Sequence, residues 1–111
     1  MAVMAMAVPV PEGKLRALED HIQEARARDD FESTLKGFGI EHESWHVQET
    51  PGGTLLILVF QCEDPPAMMQ AFGASDAPLP TLQRAVLKET LGMDLTQPPP
   101  GPPPRIIFNW P

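Results

Sequence analysis

The sequence predicts an α+β fold that associates with a second copy of itself, and three observations carry that expectation. Leu55, Leu56, Ile57, Leu58, Val59 and Phe60 form an unbroken apolar run, and Val3 to Val8 form another with no charged residue. Between them, Leu15, Leu18, Ile22 and Ala25 recur at spacings of three and four, which is one face of a helix. A strand with one face in water alternates, so an unbroken run implies cover on both faces. A chain of 111 residues buries only about 65% of its unfolded surface, too little to cover both sides of a sheet by itself.

The first strand ends at the Pro9 to Pro11 segment, and the amphipathic helix follows Gly13. Its stripe slips by half a turn at Phe31, Leu35 and Phe38, taking ~100° per residue, so the helix bends near Arg28, Asp29 and Asp30 or ends there, with Asp30 capping a second one. Gly37 and Gly39 stop it. His21 lies beside the stripe and is expected to face solvent. Residues 40–49 read as a polar edge strand, and Thr50, Pro51, Gly52 and Gly53 make a hairpin turn with positive φ expected at Gly52. The apolar strand 55–60 follows. Asp64 is placed to cap a short helix over 66–72, residues 73–80 interrupt it, and a further helix runs over 81–91 to Gly92. Residues 98–104 hold six prolines and form an extended spacer, and residues 105–110 read as a last strand.

The chain therefore divides into an α+β domain over 1–97 and a spacer with terminal strand over 98–111, packing on the same domain or on the partner subunit. The order β-α-β-β-α-β is the ferredoxin-like pattern, with the first and third strands central and the helices on one face. The two most apolar segments are the first and third, which agrees with central positions.

Net charge is −7, and no Lys or Arg occurs between Lys36 and Arg84. Nucleic acids and anionic membranes, which need clustered cations, are not expected partners. A single cysteine, Cys62, excludes an internal disulfide and fits a cytoplasmic location. No run approaches the ~20 apolar residues of a membrane-spanning helix.

The strand from Gly39 through His42, Trp45 and His46 to Glu49, the 55–60 run and the Ala74, Ser75, Asp76, Ala77, Pro78 break resemble the dimeric α+β barrels. This superfamily includes antibiotic-biosynthesis monooxygenase-like and haem-degrading proteins, and the likeness is to one of its uncharacterised bacterial groups. The resemblance covers about residues 3–91. It implies two ferredoxin-like subunits packed sheet to sheet and a pocket between each sheet and its helices; any chemistry is expected to proceed without a cofactor. Asn109 and Trp110 are adjacent here, which does not fit the spacing used by haem-degrading members.

His46 is the candidate general base, with Glu43 or Asp76 to orient it, because imidazole titrates near neutrality. The alternative is a surface or interface histidine. His42 and His46 share a strand face but lie ~13 Å apart along it, too far for one metal, so no metal site is expected. Trp45, Met68, Met69, Phe72 and Trp110 are the candidate lining of an apolar pocket, or else core. Two functions follow as expectations. One is a homodimer, joined through the open sheet face, that binds a small hydrophobic or aromatic molecule, with monooxygenase-like chemistry as one outcome. The other is a non-catalytic interaction module whose dimer and Pro-rich tail are the working surface.

Overall fold

The computed structural model describes residues 2–111, in the order β1 (Ala2–Val10), α1 (Leu15–Arg26), α2 (Phe31–Gly37), β2 (His42–Thr50), β3 (Gly53–Cys62), α3 (Pro65–Ala74) and α4 (Pro78–Leu91). The class is α+β. The strands form one antiparallel sheet in the order β1-β3-β2.

Strand alternation sorts β3 into two sets. Leu56, Leu58, Phe60 and Cys62 are buried and meet Leu18 of α1, Met68 and Phe72 of α3, and Leu87 of α4. Each large side chain buried in this layer contributes about 1.5–3 kcal/mol. The other set, Leu55, Ile57 and Val59, shares its face with Pro9, Ala7 and Ala5 of β1 and with Gln48, His46 and Ser44 of β2, their direct cross-strand partners. The helical core lies on the first face, and the second has no helix over it among the described residues.

The corners are built locally. At the stripe's phase slip α1 ends and α2 begins, joined by a two-pronged bond from Arg28 Nε and Nη2 to the Asp30 carboxylate at 2.8 and 3.0 Å. Asp30 stands at the capping position, but its carboxylate serves Arg28 and not the helix amides. Asp64 does cap α3, accepting from the Ala67 amide at 3.2 Å, and Pro65 and Pro66 occupy the first turn, where a missing N–H costs nothing. The break between α3 and α4 is held by Arg84, whose Nη1 donates to the carbonyls of Phe72 and Ser75, each at 2.8 Å. In the β2–β3 hairpin the positive φ, 124°, falls on Gly53 and not on Gly52. A left-handed residue just after the loop restores the strand twist that a common turn would oppose.

Three expectations are corrected. β3 is central and β1 is an edge, because residues 105–110 are outside the sheet and no fourth strand pairs with β1 among the described residues. All residues from 96 onward are exposed, Ile107 and Phe108 at 84%. His21 is buried, at 3% exposure. It lies three residues after Leu18 and four before Ala25, which places it on the buried stripe itself.

The chain after α4 crosses α3 before it leaves the body, with the Leu95 carbonyl lying directly over Gly73. A Cβ at position 73 would collide with that carbonyl. Gly73→Ala is therefore expected to lower stability by about 1–3 kcal/mol, read as a lower urea midpoint. An unchanged midpoint would refute the crossing.

Candidate functional site

Two hollows meet along β2. The inner one, about 30 Å³, lies between the sheet and α3 and α4, and Trp45, Met68, Met69 and Phe72 all line it. That volume holds about one water molecule. The outer one is a groove of about 440 Å³, walled by Ile22 and Arg26 of α1, Phe31 and Leu35 of α2, and Glu41 and His42 at the start of β2. Ile40, Glu43, Trp45 and Gln83 border both.

Strand alternation turns Glu43 and Trp45 toward the helices, since their neighbours Ser44 and His46 pair with Val59 and Ile57 on the open face. The Trp45 indole Nε1–H donates to Glu43 Oε2 at 2.7 Å. Burial pushes the Glu43 carboxyl above its usual range, against smaller opposing effects of the indole hydrogen bond and of His42. Behind this pair the Trp45 ring meets His21 at a centroid distance of 6.5 Å and a tilt of 40°. Burial pushes the imidazole of His21 below its usual range, with Gln83 and Glu24 acting the other way. Its Nε2 has no hydrogen-bond partner among the described residues.

Burial thus acts in opposite senses on the two groups that flank the indole, raising Glu43 and lowering His21. Such a surface suits a neutral molecule with an apolar body and a hydrogen-bonding group. Arg26 supplies the cationic group at the groove wall.

The three residues proposed for acid–base work do not assemble. His46 is exposed on the open sheet face, with Nε2 at 2.9 Å from Ser44 Oγ, which also lies 3.3 Å from His42 Nε2. Glu43 is three residues away on the same strand and therefore projects from the opposite face. Asp76 is exposed in the α3–α4 break, which Arg84 closes, so that break is not the mouth of either hollow. Neither carboxylate orients His46. Trp110, expected in the pocket, is 83% exposed on the tail and lines neither hollow.

Among the described residues no three His, Cys, Asp or Glu side chains gather as a metal site, and no helix is long and apolar enough to cross a membrane. Cys62 is free and buried, and burial pushes its thiol upward, away from the reactive thiolate. Sequence reasoning missed His21, and the 18, 21, 25 spacing was the signal that reveals it. No family profile, curated protein or solved structure matches this chain.

The two buried groups give stability opposite slopes with pH. Glu43 holds its proton more tightly when folded, so its contribution is full below its ordinary value of 4.5 and is lost as pH rises through the folded value. His21 holds its proton less tightly when folded, so its contribution is full above 6.5 and is lost as pH falls through the folded value. Glu43→Gln is expected to flatten the loss on the alkaline side, and His21→Gln the loss on the acid side, in urea midpoints measured from about pH 4 to 8. Parallel curves for both variants and the parent would refute the assignment.

Proposed function

We propose that this chain is a homodimeric binding protein of the ferredoxin-like, dimeric α+β barrel type. Its ligand is a small, uncharged hydrophobic or aromatic molecule held in the groove between α1, α2 and β2. The Glu43–Trp45 pair carries this reading, because a half-buried carboxyl that accepts from an indole N–H stands where the groove meets the core. Ile22, Phe31, Leu35 and Ile40 offer apolar contact, while Glu43 and Gln83 offer hydrogen bonds that fix orientation. If the bound molecule is also transformed, Glu43 is the half-buried carboxyl that borders it. His46 faces away.

Support for the homodimer comes from the open face of the sheet. Leu55, Ile57 and Val59 lie there beside Ala5 and Ala7, an apolar surface of small and branched side chains suited to a second sheet packed ~10 Å away. The second reading, an interaction module without a ligand, is favoured by one observation. The inner hollow is nearly filled by the protein's own Met68, Met69 and Phe72.

Trp45 and Trp110 are the two tryptophans, so Trp110→Phe leaves Trp45 as a single reporter. Titration of that variant with 2-naphthol, a neutral aromatic alcohol, is expected to give saturable quenching, weakened about tenfold by Leu35→Asp. Quenching that never saturates at millimolar probe would remove the ligand-binding reading. Native mass spectrometry is expected to show a dimer for the parent and a monomer for Ile57→Glu, and a monomeric parent at micromolar concentration would remove the homodimer.

A further inference from the structure

The two edges of the sheet differ in chemistry. β2 exposes Glu41 just before the strand and Glu49 near its end, with His42, His46 and Gln48 between, and such polar groups deter a stray strand. β1 is nine residues long, lacks any charged side chain, and leaves one row of backbone groups without a strand partner among the described residues. A long, flat, apolar edge is a template for pairing with another strand.

The same chain carries a segment that matches this edge. Ile106, Ile107, Phe108 and Trp110 are exposed at 54%, 84%, 84% and 83%, the largest concentration of exposed apolar side chains in the described structure. Pro104 and Pro111 bound the segment, and every residue from 105 to 110 retains its N–H. Proline cannot donate to a ladder, so pairing is confined to those six residues. Pro9 sets a similar limit at one end of β1 and leaves residues 2–8 as the accepting stretch. A spacer with six prolines in seven positions, 98–104, precedes the segment, and both are exposed along their whole length.

We propose that residues 105–110 of one subunit add to the β1 edge of a second copy as a fourth strand, a reciprocal exchange in a dimer. The added strand completes the sheet to four strands, with Ile106, Phe108 and Trp110 on one face and Ile107 on the other. This goes beyond the groove reading and does not depend on it.

The test is hydrogen exchange by mass spectrometry on the full chain, at concentrations below and above the onset of association. Amides of 105–110 and of β1 are expected to slow together by at least about tenfold as the protein associates. Ile107→Pro, which removes one N–H from an exposed residue, is expected to abolish that protection and to weaken association. Fast exchange of 105–110 at every concentration would overturn the proposal. Protection independent of concentration would also overturn it, because the strand would then belong to its own subunit. Loss of association in Ile57→Glu with 105–110 unprotected throughout would assign the dimer to the sheet face alone.

Discussion

The alternation of β3 is the constraint on which the rest of this structure depends. Successive side chains of a strand point to opposite faces, so an apolar residue at every position commits both faces to burial. Leu56, Leu58, Phe60 and Cys62 meet that demand against α1, α3 and α4. Leu55, Ile57 and Val59 do not, because all the packed helices lie on the other side. Slipping β3 by one residue would exchange the sets without removing the imbalance. The inner hollow, the hairpin and the order of strands are arranged around this one doubly apolar strand.

The same alternation explains why the site differs from its sequence-based outline. Glu43 and His46 are close in number and chemically apt as a pair, yet a separation of three along β2 sends them to opposite faces. Trp45, two residues from Glu43, stays on its face and hydrogen-bonds to it. Chemistry on a strand is therefore grouped by parity before it is grouped by proximity. His42, Ser44 and His46 form one polar row on the open face, while Glu43 and Trp45 form a desolvated pair on the helical face.

Much of the fold was legible because it rests on local rules. Asp64 with two following prolines announced α3, the phase slip near Arg28 announced the change from α1 to α2, and Gly92 with φ of 70° ended α4. Trp45, Met68, Met69 and Phe72 could be grouped by their bulk, and they share the lining of the inner hollow. What escaped depends on contacts distant in sequence. His21 is buried because α4 and β2 close over α1, and its identity argued for solvent. The terminal segment has strand composition, but nothing in six residues says whether an edge is within reach. The outer groove was missed because its walls come from two helices and a strand entrance that become neighbours only after folding.

Arg84 differs from the other paired cations in the nature of its partners. It grips two backbone carbonyls, whereas Arg28 and Lys36 hold the carboxylates of Asp30 and Glu32. Acid discharges carboxylates but leaves carbonyl dipoles and a guanidinium unchanged. As the medium becomes acidic, the α1–α2 corner and the α2 surface lose their ionic ties, while the corner between α3 and α4 keeps its own.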